Sequence, residues 1–313
     1  MTNFLKKFNI NSVFLAEGRV MPPSAKGRTL LLDGDPLCYV AVNNVVKLDT
    51  AIRRFEQDIL EKMYLTGCDN VRVHLTPRGS KKNGRLLLNT VKPYQGNRVG
   101  VVKSPILEPL RSGAVGHLRH NNLITVLPQW EIEADEGLVI DSYSIPNSVL
   151  VSIDKDLSLT PYEDYVLSDG IFRKLPEGDT FGYIKMKYWV TAKGNPRSKV
   201  VGKGTKFFFA QLLMGDSADN IKGIITVNGK ACGAATAFKY LEDFTDESEC
   251  ADWVIKQYKR IQQNIIPEAE ALWMLRSFDD SAYKYLTSLD VTAESMSYLK
   301  DCYSKCWRNT DES

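Results

Sequence analysis

Residues 30–37 read LLLDGDPL. Three uninterrupted leucines suit a short strand buried on both faces, and Asp33 and Asp35, around Gly34, fall where such a strand hands over to a loop or helix. The pattern recurs in EIEADEGL at 131–138, VLVSIDKDL at 149–157 and LLMGDSADNIKGI at 212–224. Eight acids are thereby placed at the ends of expected elements: Asp33, Glu133, Asp135, Glu136, Asp154, Asp156, Asp216 and Asp219. Carboxylates that converge in a fold raise one another's pKa unless hard cations such as Mg2+ or Mn2+ neutralise them. Glu133 and Glu136 share a helical face, as do Asp216 and Asp219, while Asp135 turns aside. One acidic pair is weak evidence, since acids are common at loop edges and favour the first turn of any helix. Four acidic motifs in order carry more than any one of them.

Outward from this stretch, the periodicity predicts a strand at 29–32, helices over 37–45 and 48–65, and the strands VRVHL and LITVL. A helix opening at Glu133 and the strand VLVSI follow. The alternation predicts an α/β fold, a mainly parallel central sheet with helices on both faces, in which ligands gather at the carboxyl ends of the strands. Residues 1–28, with Pro22 and Pro23, read as an N-terminal extension, 29–206 as the main domain and 207–313 as a helical region. Residues 77–120 are too long for a simple connection and read as a functional segment. Residues 171–204 read as a lysine-rich pair of strands turning at Gly194-Asn195-Pro196. Further on, 218–241 suits a hairpin of helices that offers backbone amides to phosphate.

Composition narrows the classes. The chain has 313 residues, 43% of them hydrophobic, and no apolar run long enough to span a membrane. No signal peptide is read at the N-terminus, so the cytoplasm is the expected location. Six cysteines lack metal-binding spacing and read as small buried hydrophobes, and three histidines are too few for a zinc site. The net charge of +2 hides strong segregation. From 70 to 107 there are eight basic residues and no acid; from 131 to 156, seven acids and one lysine; from 183 to 206, seven basic residues and no acid. Basic segments flanking an acidic centre suit a phosphate backbone led to a metal site.

These motifs resemble those of the flap endonuclease and 5′ nuclease superfamily, and most closely the bacteriophage 5′-to-3′ exonucleases, over about residues 29–240. DGD at 33–35 looks like the family's first metal aspartate, EADE at 133–136 like its EADD motif and SIDKD at 152–156 like its S-x-D-x-D motif. MGDSADNIKGI is similar to the segment that opens the family's helix-hairpin-helix, and PYQGNR at 93–98 resembles the Y-K-x-N-R segment before its helical arch. The resemblance implies a PIN-like fold and a two-metal 5′-to-3′ exonuclease or flap endonuclease. Its implied setting is phage DNA replication or recombination in an infected bacterial cell, RNA primers being further substrates. Two Mg2+ or Mn2+ ions are implied, with Asp33, Glu133 and Asp135 on the first and Asp154, Asp156 and Asp216 on the second; Glu136 and Asp219 act through water. It also implies a K+ ion at the hairpin, Arg98 steering the phosphate, and Lys81, Lys82, Arg85, Lys92, Lys222 and Lys230 on DNA. Residues 77–120 would fold as an arch or clamp, and the protein would act as a monomer. Three departures stand out: Pro77, beside Thr76, where many members carry an aspartate; Gln95 where a lysine is expected; and Ala235 where the hairpin has lysine. Two alternatives stay open, an RNA-directed PIN-like nuclease and a catalytically decayed, structure-specific DNA-binding protein.

Overall fold

The computed structural model describes residues 26–153, 155–192 and 194–309. A six-stranded sheet in the order β3-β2-β1-β4-β5-β6 organises the chain. Its strands are β1 (Thr29–Asp33), β2 (Asn70–Leu75), β3 (Ile124–Pro128), β4 (Ser148–Val151), β5 (Asp164–Val166) and β6 (Ile171–Arg173). All neighbours pair in parallel except β5 and β6, which pair antiparallel at the edge. This is the expected mainly parallel sheet. The leucines of β1 explain why it is central: Leu30 and Leu32 enter one apolar core while Leu31 enters the other, on the opposite face.

Helices α1 (Gly34–Val42), α2 (Leu48–Thr66) and α3 (Leu107–Leu118) cover the first face, burying Cys38, Phe55, Ile59, Leu110 and Ala114. On the second face lie α4 (Ala134–Ser144) and α5 (Thr205–Met214). The core around α5 continues without a break from Leu31, Leu138 and Leu150 to Leu286 and Leu299, so the helical C-terminal half and the sheet share one apolar interior. That half contains α6 (Ala234–Leu241), α7 (Glu247–Arg260), α8 (Ile266–Leu272), α9 (Ala282–Ser288) and α10 (Ala293–Ser304). Phe208 of α5 anchors it, with Trp273 and Tyr285 edge-on at centroid distances of 4.9 and 5.9 Å. The lysine-rich strands, β7 (Tyr183–Val190) and β8 (Pro196–Lys203), form a separate antiparallel pair. Cys38, Cys68, Cys232, Cys250 and Cys302 are buried and Cys306 is exposed, all as free thiols. Among the described residues no helix is long and apolar enough to cross a membrane.

The first helix begins earlier than its periodicity suggests. Asp33 ends β1 and also caps α1, accepting a 3.1 Å hydrogen bond from the Asp35 amide, so strand passes into helix with no loop. Gly34 makes this possible, since a Cβ there would meet Val73 Cγ1 at 2.7 Å and the His74 carbonyl at 2.9 Å. Gly34→Ala should therefore push α1 away from β2 and lower the denaturant midpoint, at a cost of about 1–3 kcal/mol in equilibrium unfolding.

Candidate active site

The carboxyl ends of β1, β2 and β4 point to one edge of the sheet, and the chain returns there from α5. Gly215, at φ +74°, turns the chain out of α5, and Asp216 and Ile221 then exchange backbone hydrogen bonds of 2.8 and 2.7 Å. This tight loop carries Asp216 and Asp219. Together with Asp156, in the 3-10 turn Asp156–Leu159 after β4, they form a buried cluster whose carboxylate oxygens lie within 4.8 Å of one another. Lys155 holds part of it, with Nζ 3.2 Å from Asp156 and in a short contact with Asp216. Gln211 of α5 donates to Asp156 at 2.6 Å and the Ala218 amide to Asp216 at 2.8 Å. Burial raises the Asp219 pKa, against the pull of Arg98, whose Nη2 lies 2.6 Å away. Asp154 lies outside the described residues.

Glu133 heads a second group. It caps α4 in a reciprocal capping box, and the Glu136 carboxylate accepts from the Glu133 amide at 2.9 Å. Both glutamates are buried, and the buried Arg85 neutralises them, with Nη1 2.9 Å from Glu133 and Nη2 3.0 Å from Glu136. Tyr94 donates its hydroxyl to Glu133 at 2.6 Å and Lys82 its ammonium at 3.0 Å. Burial alone would raise the Glu133 pKa, but Arg85, Lys82 and Tyr94 bring it down to about 2. Glu136 is moved the other way, because its burial outweighs Arg85. Asp135 accepts from the Glu136 amide at 2.7 Å. At β1, Asp33 accepts from Ser152 Oγ at 2.8 Å.

Gln95 joins the two groups. Its Nε2 donates to Glu133 at 3.2 Å and to Asp219 at 3.1 Å, while its Oε1 accepts from Lys82 at 2.7 Å. Lys82 therefore supplies a cation beside the glutamine that stands where lysine was expected. The surrounding segment clasps the Asp216 loop: the Gln95 amide bonds the Asp219 carbonyl at 2.8 Å, Asn97 the Ser217 carbonyl at 3.1 Å, and Asn220 the Pro93 carbonyl at 2.8 Å. At the other departure, the Thr76 hydroxyl accepts from the Ala134 amide at 2.9 Å, and the Thr76 amide lies 3.2 Å from both Asp35 oxygens. Asp35 also pairs with Arg111 at 3.1 Å, although burial keeps its pKa raised.

The expected DNA contacts have divergent settings. Arg98 is half exposed at the rim, Lys92 and Lys230 are exposed, Lys222 is half-buried, and Lys81 pairs at the surface with Glu131. Arg85 is 1% exposed, and its guanidinium also donates to the Trp273 carbonyl. Burial takes it out of reach of a substrate and makes it a scaffold for Glu133. Residues 77–120 are tied to the body at several points: Arg85 and Tyr94 are buried, Val91 donates its amide to buried Glu268 at 2.7 Å, and α3 belongs to the first core. Residues 97–103 are the longest fully exposed run within them. Sequence reasoning overlooked Tyr94 and Lys155, although each lies inside a quoted motif, PYQGNR and SIDKD. Residues 215–233 hold turns and two isolated bridges before α6, and Lys230 lies in the second, opposite Val227.

No family model matches the sequence, and no curated protein matches it at a significant level. Solved structures do. The fold is shared with structures of the phage T5 D15 protein. The T5 D15 protein co-crystallised with metal ions superposes with a TM-score of 0.50 at 16% identity, covering 88% of this chain and 92% of that one. The bacteriophage T5 D15 flap endonuclease, in a pseudo-enzyme–product complex with DNA and metal ions, gives 0.51 at 15% identity, covering 88% and 98%.

Two predictions follow from the buried ion pairs. Arg85→Met leaves two buried carboxylates without their cation and should cost about 3–5 kcal/mol in equilibrium unfolding. Because Glu133 titrates near 2 when folded, against an ordinary 4.5, its contribution is present above pH 4.5 and lost as pH falls toward 2. Measured stability in Glu133→Gln should therefore fall less steeply than in the parent across that window, by about 3 kcal/mol in total.

Proposed function

We propose that the chain is a divalent-metal-dependent nuclease that hydrolyses DNA phosphodiester bonds at or near a 5′ end. The observation that carries this reading is the approach of Asp156, Asp216 and Asp219 to within 4.8 Å beside the cationic Arg98. The donors are all carboxylate oxygens, which suits Mg2+ or Mn2+. Asp156, Asp216 and Asp219, joined by Asp154, would hold one ion, and Asp33, Glu133 and Asp135 a second. Bound ions of this kind supply an activated water and stabilise the charge of an in-line displacement.

The protein's own groups do the rest. Arg98 is exposed enough to exchange its contact with Asp219 for a phosphate oxygen, forming a charge-assisted bond at the rim. Lys82 gives a second cation on the Glu133 side, taking the part expected of a lysine at position 95. Tyr94 and Arg85 keep Glu133 ionised and fixed in orientation, which preorganises the carboxylate before substrate arrives. Lys81, Lys92, Lys222 and Lys230 extend the positive surface for a DNA backbone. The T5 flap endonuclease complex contains DNA and metal ions, and that substrate class is carried to this chain within the proposal. Replication or recombination of phage DNA is the setting it suits.

Duplex DNA labelled at its 5′ end, with blunt, gapped and flapped forms and an RNA–DNA hybrid alongside, tests the reading. Mg2+ or Mn2+ should release short 5′ products and a chelator should stop the release. Asp216→Asn should lower the rate at least about a hundredfold, because that carboxylate acts on the reacting centre. Cleavage that persists in chelator or in Asp216→Asn would overturn it, and preference for the hybrid would transfer the activity to RNA.

A further inference from the structure

Residues 183–203 form a two-stranded ribbon that the catalytic reading does not use. Such a pair is marginal alone, and this one is anchored where Ile184 and Val200 enter the second core, with Met186 packed against it and Lys203 paired with Asp164. Beyond that anchor, alternation sorts the side chains. Tyr183, Lys185, Lys187 and Trp189 share one face with Arg197 and Lys199 of the partner strand. Lys187 and Lys199 lie directly opposite each other, with Asp169 3.5 Å from Lys187 as the nearby anion. The aromatic residues are not buried either: Tyr188 is 73% and Trp189 42% exposed.

Between this ribbon and the edge of the main sheet runs a groove of about 630 Å3. Lys185, Lys187 and Lys199 line one wall and Leu167, Ser168, Asp169 and Ile171 the other, and the lining also includes Lys155, the residue that bridges Asp156 and Asp216. The acids of the groove are already matched. Asp164 is held by Arg173 and by Lys203 at 3.0 Å, and Asp169 lies 3.5 Å from Lys187. What remains is an apolar floor that includes Ile171, Met186 and Val201, with Lys155, Lys185, Lys199 and Tyr188 around it; cations beside an aromatic ring are the combination that grips single-stranded nucleic acid by tracking phosphates and stacking bases. The volume is in the range that encloses a small ligand, enough for a nucleotide or two and far short of a duplex.

We infer that this groove binds an unpaired nucleic-acid strand and leads it to the Asp156–Asp216 cluster, with Tyr188, which lines it, stacking on a base. The inference rests on the nuclease reading for the strand's destination, but its test needs no cleavage. Binding is measured in chelator by fluorescence anisotropy, using a blunt duplex and the same duplex with a short thymidine tail at either end. The parent should prefer a tailed duplex. Combining Lys185→Ala, Lys187→Ala and Lys199→Ala should bring the tailed-to-blunt affinity ratio close to one and reduce the salt slope for the tailed form by about 2. Tyr188→Ala should weaken tailed binding about tenfold, with Tyr188→Phe restoring most of it. Unchanged melting temperatures show that the exposed substitutions leave the fold intact. An unaltered ratio in the triple variant, or equal losses on both duplexes, would overturn the inference, the latter assigning the ribbon to duplex DNA. Tail preference in a protein without metal-dependent cleavage would keep the groove and sink only the nuclease reading.

Discussion

Charge neutralisation of buried carboxylates is the constraint on which the rest of the site depends. Glu133 and Glu136 lie beneath the strand ends, where an unpaired carboxylate would cost several kcal/mol. Arg85 resolves this by reaching both of them and a carbonyl of the helical half. One guanidinium thus ties α4 to Trp273, which itself packs on Phe208. The packing of the two halves and the ionisation of the site have the same physical origin.

The two sides of the carboxylate set are neutralised by different means. On the Glu133 side the cations are Arg85, fully enclosed, and Lys82, whose side chain is 23% exposed, reinforced by the Tyr94 hydroxyl. On the Asp216 side the cations are Lys155 and Arg98, with side chains 36% and 53% exposed. A buried guanidinium stays where packing puts it, whereas a partly exposed ammonium can leave for water at little cost. The Asp156, Asp216 and Asp219 side is therefore the one suited to exchanging its positive partners for an incoming ion or phosphate.

Much of this is legible in the sequence. The leucines of LLLDGDPL announce a strand buried on both faces, and the alternation of elements gives the parallel sheet. The spacing of Asp216 and Asp219 places both acids on one local face. Other features leave no comparable trace. Arg85 lies in a basic stretch and reads as a surface charge; nothing in its neighbours, apart from Leu86 to Leu88, indicates burial. The start of α1 at Gly34 escapes periodicity because a side-chain cap, Asp33, sets it. Gln95 looks like a loss when taken singly, and its bridging of Glu133 and Asp219 exists only through contacts between residues far apart in the chain.

That separation bears on how the molecule comes into being. The Gln95 to Asp219 contact spans 124 positions and the Lys155 to Asp216 contact 61, and both require the Gly215 turn at the end of α5. Loops this long close late, after the local elements have formed. A chain emerging from the ribosome carries Asp33, Glu133 and Asp156 well before Asp216 is synthesised, so its acids stay scattered. The completed cluster is a property of the finished fold, and a chain made only as far as α5 does not yet hold it.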